Sequence, residues 1–335
     1  MATRRLPVYV LLDCSESMIG PGIAGVRKSV DAMLKELRRN PHALETVYMS
    51  FITFSTKAKQ LMPLTPLEDI QPPSLPLASG TALGDALSLA AKSIKAEVRK
   101  GSVDVKGDFR PIVFIITDGV PTDKWQAGAT ELKATKATVY AIGCGDDVDW
   151  NQLGAITPAV LHVDAMDSEA IGSLFRWISS SVDTASRAVG DGEDKTALDK
   201  LPPAVKRIDL SKAPAHDGNP RQLLLKATCY KTGTPYLMRF RFSPDDGCFA
   251  PISSHPLASE DMGAAVGALA GPKVSTKKMS GNPPCPCCSA SDLFVCDCAE
   301  MACWDKSFTN RVICPTCRKP LQLVRGHFDV NQRTG

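Results

Sequence analysis

Short, continuously apolar segments alternate with amphipathic segments in the first half of the chain, and this alternation limits the possible folds more than any other feature. The apolar segments are residues 6–13, 47–54, 111–117, 138–143 and 160–163. Runs of this length without polar alternation are typical of strands buried on both faces. The amphipathic segments have apolar residues at helical spacing, as in residues 23–37, 83–94 and 171–182. We therefore predict the α/β class, with a doubly wound, mostly parallel sheet and helices on both of its faces.

Composition and charge exclude several classes of protein. Of the 335 residues, 44% are apolar and 22% are charged, which is typical of a globular chain. The net charge of +3 is too small to indicate binding to nucleic acid or to a membrane surface by charge alone. No apolar run reaches the roughly 18–20 residues of a transmembrane helix. The apolar stretch near the N-terminus stops at Asp13 with no small-residue cleavage site after it, so we interpret it as a strand and expect a cytoplasmic protein.

The pattern changes after about residue 188. Residues 189–204 are polar and are predicted to form a linker. Residues 205–275 contain short alternating segments around a turn at residues 231–235, which indicates a small β-rich segment. Residues 276–335 are rich in cysteine. We therefore divide the chain into an α/β domain over residues 1–188, a linker, a β-rich segment over 205–275 and a cysteine-rich segment over 276–335.

Oxygen-bearing side chains follow the predicted strands where these strands end. Asp13, Ser15 and Ser17 form an Asp-x-Ser-x-Ser pattern after the first strand, Thr81 precedes a predicted helix, and Asp118 follows the strand at 111–117. In a doubly wound sheet, ligands bind beyond the carboxyl ends of the strands. Two carboxylates and three hydroxyls are hard oxygen ligands, which suit Mg²⁺, although Mn²⁺ or Ca²⁺ could use the same oxygens. We predict a divalent metal site at this edge of the sheet.

These residues also allow interpretations without a metal. Asp and Ser at a strand–helix turn are often helix caps, and Asp-Gly after a strand is often only a turn. The neighbouring Asp85 and Asp123 are expected to be surface carboxylates and not direct ligands. Cys14 lies among carboxylates, which would raise the pKa of its thiol, and no base lies near it in sequence, so we do not expect it to be a nucleophile.

The set of Asp13, Ser15, Ser17, Thr81 and Asp118 resembles the metal-ion-dependent adhesion site of von Willebrand factor A domains, and the resemblance covers roughly residues 5–186. This resemblance implies that the serines and the threonine bind the ion directly or through water. It implies that the aspartates hold the ion and its waters. It also implies that an open coordination position takes a carboxylate from a partner protein.

The cysteines are distributed unevenly, and eight of the twelve lie between Cys285 and Cys317. Two Cys-x-x-Cys pairs can supply four thiolates to one tetrahedral Zn²⁺, as in a zinc ribbon, and we predict this ligand set: Cys285, Cys288, Cys314 and Cys317. Four further cysteines could form a second metal site or remain as free thiols: Cys287, Cys296, Cys298 and Cys303. The sequence does not decide between these alternatives, and we favour a single zinc ion.

The order of the A domain, a β-rich segment and a zinc ribbon resembles that of TerY-type proteins, which are associated with bacterial tellurite-resistance and stress systems. This resemblance implies partnership with a protein kinase and a metal-dependent protein phosphatase. We expect a non-enzymatic scaffold that recognises an acidic residue of its partner through Mg²⁺. The alternatives are an Mg²⁺-dependent phosphohydrolase, although we find no Walker A loop or kinase signature, and a nucleic-acid-binding module that acts through the ribbon.

Overall fold

The computed structural model describes most of the chain in two compact units, Met1–Asp217 and Gly218–Gly335. The described residues are 4–78, 80–102, 106–145, 147–164, 168–187, 200–213, 222–243, 246–257, 270–305, 311–324 and 326–333. Most of the predicted linker, residues 189–199, therefore lies outside the described part. No helix among the described residues is long and apolar enough to cross a membrane.

The first unit contains a single seven-stranded sheet. Its strands are β1 (Leu6–Asp13), β2 (Val47–Phe54), β3 (Ala58–Pro66), β4 (Ile112–Thr117), β5 (Thr138–Cys144), β6 (Val160–Val163) and β7 (Val205–Arg207). The spatial order is β3-β2-β1-β4-β5-β6-β7. The five central strands are parallel, and the two edge strands, β3 and β7, run antiparallel to their neighbours. The predicted doubly wound, mostly parallel sheet is confirmed.

Helices cover both faces of this sheet. They are α1 (Pro21–Leu37), α2 (Pro41–Thr46), α3 (Leu83–Glu97), α4 (Trp125–Ala134), α5 (Trp150–Ile156) and α6 (Ser168–Arg187). On one face, Tyr9 and Leu11 of β1 share a core with residues of α3, α4 and α5. On the other face, Trp177 of α6 packs edge-on against Phe114 and Tyr140. Both faces of the central strands are therefore buried, which explains why their sequences are continuously apolar.

Two features of this sheet differ from the sequence-based expectation. The strand β7 was expected in the separate β-rich segment, but it pairs with β6 in the sheet of the first unit. The strand β3 was not predicted, because it contains two prolines and its residues are only partly buried. Proline is tolerated there because β3 is an edge strand, which leaves one row of backbone groups without a ladder partner.

The described residues of the second unit form nine strands: β8 (Gln222–Thr228), β9 (Pro235–Ser243), β10 (Cys248–Pro256), β11 (Ala270–Ser275), β12 (Asp292–Val295), β13 (Met301–Trp304), β14 (Arg311–Ile313), β15 (Pro320–Gln322) and β16 (Asp329–Arg333). Seven of them form one sheet with the path β10-β9-β8-β13-β12, and β16 joins β11 to β8. The expected boundary at residue 275 is therefore wrong. Strands from both sides of it share one core, in which Leu223 and Met238 pack with Cys285 and Cys303.

Candidate metal sites

The structure brings together the elements that carry the predicted oxygen ligands at the carboxyl edge of the parallel sheet. Asp13 is the last residue of β1, and Ser15 and Ser17 follow in a tight turn that includes a short 3-10 helix at Glu16–Met18. Asp118 follows β4, the neighbour of β1. All of the predicted ligands, Thr81 included, are buried, with at most 6% of any residue exposed.

Hydrogen bonds connect four of the five predicted ligand residues into one network. Ser17 Oγ donates to Asp118 Oδ1 at 2.6 Å. Because this bond uses the only hydroxyl proton of Ser17, the 2.8 Å contact between the two serine oxygens requires Ser15 Oγ to donate to Ser17 Oγ. Asp13 accepts from the backbone N–H of Ser15 at 2.9 Å and from Thr117 Oγ1 at 2.5 Å. The network orients both carboxylates within the protein.

Thr81 has a buried hydroxyl oxygen, Oγ1, that has no hydrogen-bond partner among the described residues. The loop itself is held firmly, because the N–H of Thr81 donates to Thr122 Oγ1 and the N–H of Thr122 donates to the carbonyl of Thr81, each at 3.0 Å. Oγ1 lies 3.5 Å from the position of an ideal Cβ on Gly119, the residue after Asp118. An unpaired buried hydroxyl costs about 1–3 kcal/mol. A cation coordinated by this oxygen would remove that cost, so the residues present fit a metal ion.

The electrostatics of the site also favour a cation. Burial, together with the negative charge of Asp118, raises the pKa of Asp13 above its ordinary value. Two buried carboxylates disfavour each other's ionised form, and a divalent ion between them would offset this repulsion. Burial and the charge of Asp13 likewise raise the pKa of the Cys14 thiol, which is the direction expected for a cysteine that is not a nucleophile.

Asp123 has a role that the sequence analysis missed. Its two carboxylate oxygens accept hydrogen bonds from the N–H groups of Gly84 and Asp85, each at 2.9 Å, at the start of α3. Asp85 is exposed and accepts from the N–H of Ala58 at 2.8 Å. Neither carboxylate forms a bond to the predicted ligands, so Asp123 fixes the helix that follows the Thr81 loop. No sequence pattern marks this role, because the partners of Asp123 are backbone N–H groups.

The cysteines form two clusters and not the single predicted one. Within each cluster, the four sulfur atoms lie within 4.8 Å of one another. Cluster 1 consists of Cys229, Cys285, Cys288 and Cys303, and cluster 2 consists of Cys296, Cys298, Cys314 and Cys317. The predicted set was wrong because its two Cys-x-x-Cys pairs belong to different clusters. The remaining four predicted cysteines do not form a second site either, since Cys287 is exposed and lies in neither cluster.

Cys229 is the ligand candidate that the sequence analysis missed. In the turns that begin at Cys229, Cys285 and Cys314, the N–H of the fourth following residue donates to the carbonyl of the cysteine. That fourth residue is in each case left-handed: Gly233, Ser289 and Arg318. The turn at Cys229 is therefore a knuckle in which Thr232 takes the place of the second cysteine. A Cys-x-x-Thr-Gly pattern was the signal for it.

The geometry of the clusters suits tetrahedral zinc. A zinc ion with bonds of about 2.3 Å to four thiolates places the sulfur atoms about 3.8 Å apart. In cluster 1, the Sγ atoms of Cys288 and Cys303 lie 3.5 Å apart. In cluster 2, two pairs of Sγ atoms lie 3.5 and 3.6 Å apart. The sulfur atoms are thus close to the positions that one zinc ion in each cluster would require.

Local hydrogen bonds favour the thiolate form of one cysteine in each cluster. The hydroxyl and backbone N–H of Thr232 outweigh the opposing effect of burial and lower the pKa of Cys229 to about 6. The N–H of Lys319 is the main cause that lowers the pKa of Cys317 to about 7. The N–H of Tyr230 donates to Cys303 Sγ at 3.2 Å, but burial outweighs this bond and raises the pKa of the Cys303 thiol above its ordinary value. Thiolates are the form of cysteine that binds zinc.

A doubly wound sheet with buried carboxylate and hydroxyl oxygens at its carboxyl edge defines a metal-binding α/β domain. The family model of the von Willebrand factor type A domain matches residues 8–176, half of the chain, and the chain belongs to this family. Members of this family mediate protein–protein interactions that depend on a divalent metal at this site.

Comparisons with individual proteins add only distant similarities. Proximal thread matrix protein 1 from the mussel byssus is 22% identical, with a TM-score of 0.43 over 54% of this chain and 49% of that chain. The pilus adhesin SpaC from Lactobacillus rhamnosus GG is 14% identical, with a TM-score of 0.43 over 54% of this chain and 30% of that chain. The ArnB paralog VWA2 from Sulfolobus acidocaldarius is 17% identical, with a TM-score of 0.38 over 53% and 46%. The chain spans half or less of the length of these structures. No curated protein matches it.

Proposed function

We propose that this protein is a non-enzymatic scaffold that binds a partner protein through a divalent cation at the edge of its first unit. Mg²⁺ is the proposed ion, with Mn²⁺ and Ca²⁺ as alternatives. The residues proposed to hold it are Asp13, Ser15, Ser17, Thr81 and Asp118. The observation that carries the proposal is the unpartnered, fully buried Oγ1 of Thr81, in a loop held by Thr122 beside the residue that follows Asp118.

The charges of the ligand set support recognition of an acidic partner. Asp13 and Asp118 supply the only negative charges of the set, while the hydroxyls of Ser15, Ser17 and Thr81 are neutral. Five protein oxygens would leave the octahedral coordination shell of the ion incomplete, and a carboxylate of a partner is a hard oxygen ligand that could complete it. The hydrogen bond from Ser17 to Asp118 would orient the ligands before the partner arrives.

We propose that the second unit binds two zinc ions, one in each cysteine cluster, and that both are structural. Closed sites with four thiolates leave no coordination position for a substrate. The two ions would hold together a unit of short strands, in which the β14–β15 hairpin is small and its core contact is limited to a few residues around Phe294 and Val312.

The biological context is proposed from the sequence resemblance to TerY-type proteins. We propose a cytoplasmic role in a bacterial tellurite-resistance or stress system, with a protein kinase and a metal-dependent protein phosphatase as partners. The order of an A domain followed by a unit with eight clustered cysteines supports this assignment.

The proposed function can be tested by capture of partners from the host with the purified full chain. Magnesium is removed by buffer exchange and then restored, because a chelator would also remove zinc. A partner that is retained with Mg²⁺, released without it and retained again on its return is expected. Thr81→Val, which removes the unpartnered oxygen, should abolish retention, whereas the matched control Thr130→Val on the exposed face of α4 should not. Retention that is independent of both Mg²⁺ and Thr81 would reject the proposal.

A further inference from the structure

The second unit contains an open groove of about 810 Å³ between two of its cysteine turns. One wall is the turn after β8, with Tyr230 and Lys231, and the other is the knuckle that carries Pro315 and Arg318. A volume of this size is typical of ligand sites in proteins. None of the four cysteines in either cluster lines the groove, so it is distinct from the metal sites themselves.

Both walls depend on the cysteine clusters. The turn after β8 begins at Cys229 of cluster 1, and the knuckle begins at Cys314 of cluster 2. The two walls are also tied to each other, because the backbone N–H of Ile313 donates to the hydroxyl of Tyr230 at 3.3 Å. The shape of the groove is therefore set by local hydrogen bonds and by both clusters, and it exists before any ligand binds.

The groove is positively charged. Lys226, Lys231 and Arg318 line it, against a single acidic residue, Glu300. The carboxylate of Glu300 is occupied in part by the hydroxyl of Thr228, which donates to it at 2.7 Å. The lining thus carries a net charge of about +2 at neutral pH, in a chain whose total net charge is only +3.

The groove also has an apolar part. Ile313 lines it and is 55% exposed, which makes it one of the few large hydrophobic residues on the surface of the described chain. Pro235 and Pro315 lie on the same lining. A rigid apolar surface next to fixed cations is suited to a ligand that offers one apolar side chain and several negative charges.

We propose that this groove binds an acidic peptide segment of a partner protein. Its carboxylates would pair with Lys226 and Arg318, and one apolar side chain would cover Ile313. Nucleic acid is the less suitable ligand. The ring of Tyr230 in the groove lining already packs edge-on against Phe294, with 5.9 Å between the ring centroids, so the usual stacking partner for a base is committed. The site is independent of the oxygen ligands in the first unit.

The proposal is tested with the zinc-loaded full chain and an array of synthetic peptides. The number of glutamates and the presence of a central leucine vary independently across the array, with glutamine peptides as neutral controls and a single-stranded oligonucleotide as the competing ligand. Binding of the best peptide is then measured by fluorescence polarisation. We expect affinity to rise with the number of glutamates, to require the leucine, and to exceed the affinity for the oligonucleotide.

Substitutions locate the binding in the groove. Arg318→Gly removes one charge and relaxes a left-handed backbone position, so weaker binding cannot be attributed to a damaged fold. Together with Lys226→Gln, it should weaken peptide binding by about tenfold or more. Ile313→Ser should also weaken it, whereas Lys277→Glu, on an exposed residue outside the groove, should have little effect.

Three results would overturn the proposal: no preference for glutamate over glutamine peptides, unchanged affinity in the Arg318→Gly and Lys226→Gln variant, or tighter binding of the oligonucleotide. Asp118→Asn serves as the separate control for the first unit. Peptide binding that survives this substitution supports the groove even if the Mg²⁺-dependent partner is not found, so failures of the two proposals are distinguishable.

Discussion

Ser17 and Asp118, separated by 101 residues in the chain, form a 2.6 Å hydrogen bond in which the serine hydroxyl donates to the carboxylate. The bond connects the turn after β1 with the end of β4, its neighbour in the sheet. It is charge-assisted and buried, so its geometry is well defined. Because it spans two strand ends, any change at Asp118 acts on Ser17 as well as on the proposed metal ion.

Replacement of Asp118 with Asn is expected to abolish stabilisation by Mg²⁺ without unfolding the protein. The substitution keeps the shape of the side chain but removes one of two buried negative charges. Without metal, the melting temperature should stay the same or rise, because repulsion with Asp13 is relieved. Three of the four tryptophans lie in the first unit (Trp125, Trp150 and Trp177) and Trp304 lies in the second, so tryptophan fluorescence reports mainly on the first unit. In the unmodified chain, Mg²⁺ at about 100 times its dissociation constant should add about 2.7 kcal/mol. An equal shift in Asp118→Asn would contradict this prediction.

Asp118→Ala should likewise abolish Mg²⁺-dependent binding of the partner protein.

The stabilisation by Mg²⁺ is expected to increase from pH 5 to pH 8. Burial and the charge of Asp118 raise the pKa of Asp13 from its ordinary value of 3.8 to about 7, so the folded state binds more protons than the unfolded state between these two pH values. Without metal, this residue therefore lowers the free energy of unfolding as pH rises through that window. Mg²⁺ binds the ionised form, so its effect grows in the same direction. Melting curves with and without Mg²⁺ at several pH values would show it, and a shift that is constant with pH would contradict it.

The purified protein is expected to contain two zinc ions per chain. Cys229→Ser should lower the content to about one, because it removes a ligand of cluster 1, and should strongly destabilise the second unit. Cys248→Ser and Cys287→Ser are the matched controls, since both cysteines lie outside the clusters. Zinc is measured by elemental analysis after gel filtration. A content of one zinc in the unmodified chain, or its loss in Cys287→Ser, would show that the clusters are assigned wrongly.

Asp123→Ala is expected to reduce both stability and the response to Mg²⁺. The carboxylate accepts from the N–H groups of Gly84 and Asp85, and the loss of such a helix cap costs about 1 kcal/mol. Because the same helix begins just after Thr81, the threonine oxygen would be held less firmly. Asp123→Asn keeps one oxygen acceptor, so its stability and its response to Mg²⁺ should lie between those of the unmodified chain and those of Asp123→Ala. If the melting temperature falls while the Mg²⁺ response is unchanged, the residue stabilises the helix but does not position the ligand.

The fold of the first unit and the position of its site could be predicted because both depend on local sequence. Strands buried on both faces must be continuously apolar, and Asp13, Ser15, Ser17 and Asp118 lie within a few residues of such strands. The role of Asp123 could not be predicted, since its partners are backbone N–H groups of a helix some 40 residues earlier. Almost every residue has the same backbone N–H group, so hydrogen bonds to such groups produce no recognisable pattern in the sequence.

The sequence by itself determined that the cysteines occur in knuckles that favour metal, because a Cys-x-x-Cys turn is a local structure. Only the tertiary structure decided which knuckles share a cluster. A knuckle supplies two ligands, and the other two come from whichever segments the sheet places beside it. In the second unit, a parallel bridge joins Thr228 of β8 to Ala302 of β13. The residues that follow them, Cys229 and Cys303, are thereby brought into one cluster, 74 residues apart in sequence yet adjacent in space.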